Sequence, residues 1–161
     1  MIIFKAYQLK KAIDIIKQYK VTHVNFHISS KIMILTAYKD DRIIKHKISI
    51  INNLQLEYKF STYLDSLTCF TAGVEDIGMI DITTHSCMLQ IPKTGNLQYL
   101  IRLPYQEHKL NDTNQLTMLK LDRKALAKTL KGLTDNKVQI ITFNKHIEIK
   151  DSNTTYVIPI N

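Results

Sequence analysis

Only four glycines and two cysteines occur in 161 residues, and tryptophan is absent. So few glycines leave no Gly-rich loop to cradle a phosphate and no G-x-S-x-G elbow for a serine nucleophile. There is no H-E-x-x-H, no paired C-x-x-C and no zinc-finger spacing, so the usual zinc arrangements are missing. Basic heptads and aromatic RNA motifs, which accompany the reading of base sequence, are missing too. No apolar run approaches twenty residues and no charged-then-apolar leader opens the chain, so neither a membrane span nor export is expected. The expected location is cytoplasmic, with Cys69 and Cys87, on a predicted helix and a predicted strand, as reduced core residues rather than a disulfide.

Apolar residues make up 45% of the chain and charged residues 22%, ordinary values for a globular protein able to bury a real core. Heavy use of Ile, Lys and Asn suggests an AT-rich coding genome, such as that of a phage or mobile element. The net charge of +8 is large for this length and points to a polyanionic partner or to simple solubility. It is unevenly placed. Residues 1–51 carry ten Lys/Arg against three Asp/Glu, residues 52–107 three against six, and residues 108–161 nine against five.

Periodicity divides the chain at the same places. MIIFKAY reads as a strand, QLKKAIDIIKQYK as a helix, and VTHVNFHIS, KIMILTAYK and DRIIKHKISI as three further strands. LQLEYKFS, TYLDSLTCFTAG, DIGMIDIT, SCMLQIPK and LQYLIRLPY give the same order again. A third copy runs from a short alternating stretch through a helix capped by Asp122 and closed near Gly132, then the strand Val138 to Phe143. It ends in a hairpin turning at Asp151-Ser152-Asn153. The expected fold class is α+β: three β-α-β-β-β modules with antiparallel sheets and helices on one face. Two modules, 1–51 and 52–107, form a first domain over 1–107, and 108–161 is the third module.

On the first helix Leu9, Ala12, Ile13 and Ile16 take the buried stripe, leaving Lys10, Lys11, Lys17 and Lys20 toward solvent. On the last, Lys124, Lys128 and Lys131 recur at i, i+4 and i+7 beside Arg123. Either face could be merely solvated. Two equivalent basic helices also have the density to neutralise several phosphates without reading bases. The middle helix contains Asp65 and no Lys or Arg, which suits a protein contact better than a phosphate.

Catalysis finds little support. His23 and His27 share one face of a predicted strand, with no carboxylate or cysteine cluster to make them metal ligands. Glu75, Asp76 and Asp81 could be read as a Mg²⁺ set, but a turn and solvated strand ends account for them. No enzyme activity and no cofactor are expected.

The module order over the whole chain resembles the DNA sliding clamp fold of the polymerase III β subunit, PCNA and phage clamps. The last fifty or so residues, with Tyr156-Val157-Ile158-Pro159-Ile160 as terminal strand, look like the last module of a β clamp. The resemblance implies a DNA-associated accessory, or processivity, factor for a DNA polymerase or other replication enzyme, and a homo-oligomer. It places Lys10, Lys11, Lys17, Lys20, Arg123, Lys124, Lys128 and Lys131 on helices that line a DNA channel. It also makes the connector from Pro104 to Gln115, with Pro104, Tyr105 and Leu110, the border of a partner-binding surface. Clamp domains hold two modules and clamp rings twelve, so three in one chain is a departure. The alternative is a clamp-fold interaction subunit that binds a replication protein without encircling DNA.

Overall fold

The computed structural model describes residues 1–39, 42–68, 70–107, 129–133, 139–143 and 145–159. It opens with strand β1 (Ile2–Lys5) running into helix α1 (Ala6–Lys17). No side chain caps α1; instead the Ala6 amide donates to the Asp76 backbone carbonyl at 2.9 Å, satisfying one of the free N–H groups of the first turn. The helix stops where Lys20 takes a left-handed conformation, φ 52°. Its inward stripe is fully buried at Ala6, Leu9, Ala12, Ile13 and Ile16, as the helical spacing predicts.

Three antiparallel meanders follow. The first is β2 (His23–Ser29), β3 (Ile32–Lys39) and β4 (Arg42–Ser49). After β5 (Tyr58–Tyr63), the second is β6 (Ile77–Ile82), β7 (Ser86–Ile91) and β8 (Asn96–Ile101). The last is β9 (Gln139–Thr142), β10 (His146–Lys150) and β11 (Thr154–Pro159).

The strands that precede the first two meanders change places. Strand β1 pairs with β6 of the second meander and β5 with β2 of the first. Phe4 fits directly over Gly78, its cross-strand partner, where any Cβ would meet the ring at 2.6 Å. Single bridges, Phe4 to Ile50 and Ser61 to Leu103, close the two corners alike. The resulting sheets have the orders β1-β6-β7-β8 and β5-β2-β3-β4-β11-β10-β9. The seven-stranded sheet exists because β11 pairs antiparallel with β4, from Thr154 opposite His46 to Val157 opposite Ile43.

One core joins the sheets. Val24, Phe26 and Ile28 of β2, Met33 and Leu35 of β3 and Phe60 of β5 meet Leu64, Leu67 and Phe70, with Phe26 and Phe60 stacked at 5.1 Å. A smaller cluster of Ile147, Ile149 and Ile158 packs with Leu133.

The middle helix expected over residues 62–73 is not there. β5 continues to Tyr63, which pairs with His23, and only a 3-10 turn, Leu64–Leu67, follows. Local bonds take the place of helical ones: the Thr68 hydroxyl donates to the Asp65 carbonyl at 2.9 Å, and the Gly73 amide to the Asp76 carboxylate at 2.7 Å. Cys69 lies outside the described residues, as do most of the third predicted helix and the strand expected before it. Cys87 is buried in β7, and burial pushes its thiol up to about 12. No helix among the described residues is long and apolar enough to cross a membrane.

Candidate nucleic-acid interface

Helix α1 and the described end of the last helix meet on one face of the seven-stranded sheet, over the β4–β11 seam. Residues 129–132 are the described end of the last helix. They meet the sheet at Tyr156, beside Ile15 of α1: a Cβ on Gly132 would stand 1.9 Å from the Tyr156 hydroxyl oxygen and 3.7 Å from Ile15. The Tyr156 ring is tilted against Tyr19 at 6.0 Å, and burial raises the pKa of both phenols. The two helices are thereby held close enough to share one open groove, which Tyr7, Lys10, Lys11 and Asp14 line on one side and Lys131 and Gly132 on the other.

The basic residues of this surface differ in setting. Lys10 is tied to Asp14 one turn on, with Nζ at 2.6 and 2.5 Å from the carboxylate oxygens. This (i, i+4) pair is partly exposed and worth only a few tenths of a kcal/mol, so a phosphate could compete for Lys10. Lys17, Lys20 and Lys131 are exposed. Lys11 is half-buried and also borders a second pocket with Gln8, His46, Lys47 and Asn153. The periodicity thus separated outward from inward residues, but not Lys11 from its more exposed neighbours. Arg123, Lys124 and Lys128 lie outside the described residues.

Beneath Lys11 is a feature that patterning did not reveal. His46 on β4 is 2% exposed, and its Nδ1 lies 2.8 Å from the Thr154 hydroxyl on β11. Burial, helped by the Lys11 charge and opposed by Asp151, lowers its pKa to about 4. A neutral imidazole therefore bonds across the seam that carries both helices.

The connector also has more structure than its polar composition predicts. Leu103 exchanges two backbone hydrogen bonds with Ser61, at 2.8 and 2.9 Å. Next, buried Asn25 of β2 holds Gln106 from both sides: its Nδ2 donates to the Gln106 carbonyl at 2.5 Å and its Oδ1 accepts from the Gln106 amide at 3.3 Å. Pro104 is exposed and Tyr105 half-buried between these anchors; Leu110 lies outside the described residues. The only signal in the sequence was an asparagine set between Val24 and Phe26.

Elsewhere the acidic residues engage neighbours. Glu75 faces Lys5 at 3.7 Å and Asp81 the N-terminal amine at 3.4 Å. The His23 ring is tilted against Tyr63 at 4.9 Å, and His27 Nε2 reaches Glu57 at 2.5 Å. Among the described residues no group of three or more His, Cys, Asp or Glu could hold a metal ion.

No family model matches the sequence, and neither does any curated protein. Solved structures do match. A DNA polymerase sliding clamp from Pseudomonas aeruginosa gives a TM-score of 0.79 at 9% identity, covering 100% of this chain and 64% of its own. The Helicobacter pylori β clamp gives 0.74 at 11%, covering 99% and 63%, and the Caulobacter crescentus polymerase III β 0.75 at 7%, covering 99% and 64%. The chain has the sliding-clamp fold, an α+β fold of antiparallel sheets. It spans a little under two thirds of the length of these clamps.

Proposed function

We propose that the protein is a non-catalytic, clamp-like accessory factor that holds DNA for a polymerase or other replication enzyme. The observation that carries this reading is one groove shared by α1 and the described end of the last helix, Lys10 on one side and Lys131 on the other, in a sliding-clamp fold. Lys10, Lys11, Lys17, Lys20 and Lys131, with Arg123, Lys124 and Lys128, supply phosphate contacts without base readout. Residues 1–107 act as one two-module domain and 108–161 as a third module, in the cytoplasm of its host. The ring form of this reading requires self-association, as the resemblance to clamps implies.

The experiment is affinity for unrelated duplexes over a range of salt. A steep slope shared by all sequences supports the proposal; charge reversal at Lys17 and Lys131 should weaken binding about equally on each and flatten the slope. Unchanged binding in that variant would reduce the basic face to a solvated one.

A second reading is favoured by the anchored connector. Pro104 and Tyr105, held out between the Ser61 and Asn25 anchors, offer a preformed edge to a replication protein that binds without any ring. A stable one-to-one complex with such a partner, unaffected by Lys131 reversal, would support it.

A further inference from the structure

The recess beneath Lys11 shares Tyr7 and Lys11 with the groove between the helices, but its floor is the sheet. It measures about 70 Å³, several times the space one water needs, and Gln8 of α1, His46 and Lys47 of β4 and Asn153 of the hairpin turn complete its lining. Most of what this lining offers a ligand is hydrogen-bond donors. Gln8 Oε1 already accepts from the Ser49 amide at 3.3 Å, which leaves the Gln8 amide nitrogen. The Asn153 carbonyl accepts from the Lys47 amide at 2.6 Å, which leaves the Asn153 side chain. Lys47 is exposed, and by strand alternation its side chain goes to the face opposite His46, so Lys11 is the lysine of the recess.

His46 is what makes the recess more than a surface dip. The ring is buried, and its one hydrogen bond among the described residues joins Nδ1 to the Thr154 hydroxyl, so Nε2 is the nitrogen left to the recess. The charges felt at His46 are those of Lys11 and Asp151; its cross-strand neighbours Leu35 and Thr154 carry none. Asp151 is committed to the turn, where its Oδ1 accepts from the Asn153 and Thr154 amides at 3.0 and 2.7 Å. A lysine and a buried imidazole therefore face the recess, no carboxylate is among its lining residues, and the first turn of α1 adds a field that favours negative charge.

We propose that this recess is a phosphate site: one phosphate group, free or part of a larger molecule, sits between Lys11 Nζ and His46 Nε2, with donors from Tyr7, Gln8 and Asn153 around it. A tetrahedral oxyanion suits such a lining because it accepts charge-assisted hydrogen bonds from several directions at once. The anion also draws a proton onto His46. Burial and the Lys11 charge hold the imidazole neutral, and a negative charge between the two offsets both, so binding tightens as pH falls. The site does not depend on DNA being held in the groove.

The test follows the ring resonances of His46 in the full chain as chloride is replaced by sulfate at constant ionic strength. Sulfate has the shape and charge of a phosphate dianion and does not itself titrate where His46 does. The signals should move saturably, and the His46 midpoint should rise from about 4. Lys11→Ala should weaken the response about tenfold or more, as loss of one charge-assisted hydrogen bond requires, whereas Lys47→Ala should leave it unchanged. Unmoved ring signals, or an equal response in Lys11→Ala, would overturn the proposal and reduce the recess to a hydrated one. Two further probes identify the source of the phosphate. Displacement of sulfate by thymidine monophosphate alone supports a small-molecule ligand, and displacement by a short duplex without terminal phosphates supports a backbone phosphate of DNA. The Lys17 and Lys131 variant that tests DNA binding keeps Lys11 and His46, so failure of one reading is told apart from failure of the other.

Discussion

Gly132 and Tyr156 are fitted to each other: where a side chain would begin on the helix, the phenol of β11 already stands, 1.9 Å from the position of a Cβ. Tyr156 is 2% exposed. Residue 132 is helical, so alanine would gain about 1 kcal/mol in propensity. Overpacking costs typically about 1–3 kcal/mol, more where backbone must shift. Gly132→Ala should therefore destabilise the protein in chemical denaturation. Adding Tyr156→Phe, which removes the oxygen in conflict, should recover part of the loss, and equal stability of the single and double variants would contradict this packing.

The His46–Thr154 bond gives the seam a pH dependence. Its folded pKa of about 4 lies below the ordinary histidine value of 6.5. Between those values the unfolded chain binds the proton and the folded chain does not, so stability is full above about pH 6.5 and falls as pH drops toward 4. The shift corresponds to about 3 kcal/mol at most. His46→Gln should flatten the stability curve over that window relative to wild type; identical curves would show that His46 does not titrate with folding.

Asn25 should govern the connector. Asn25→Ala leaves the Gln106 amide and carbonyl without their partner, at a cost of roughly 1–3 kcal/mol. Exchange at the Gln106 amide should rise more than at Leu103, which keeps its bonds to Ser61. Equal acceleration at both would mean that the clasp is not a local one.

Lys20 occupies a left-handed conformation, φ 52°, which costs a residue with a Cβ about 1 kcal/mol. Lys20→Gly should raise the unfolding midpoint while lowering the salt dependence of DNA binding, if Lys20 contacts phosphate. Loss of stability would contradict the strain.

Much of the fold was legible because its determinants are local. The α1 stripe and the alternation about Asp151-Ser152-Asn153 carry their own periods, and Leu9, Ile13, Tyr156 and Ile158 are buried as those periods require. Tyr156 and Val157 are paired on both sides, with β10 and with β4; Ile160 lies outside the described residues. The exchange of β1 and β5 was not legible, since partners distant in sequence, such as Ile2 with Ile80 and His23 with Tyr63, leave no local signature. The missing middle helix has a similar cause: pairing of Tyr63 with His23 overrides a weak helical stripe rich in threonine. Gly132 was read as a helix stop, and the helix does end there, but its tighter constraint is a tyrosine from another element.

The central claim, that this clamp fold holds DNA, is tested most directly by retention on duplex. The protein assembled on a nicked circular plasmid and the same plasmid linearised are passed through a sizing column in salt that abolishes simple ionic binding. The clamp account predicts retention on the circle and loss from the linear form, by sliding off its ends. Equal loss from both, from a protein that remains a monomer at high concentration, would contradict it.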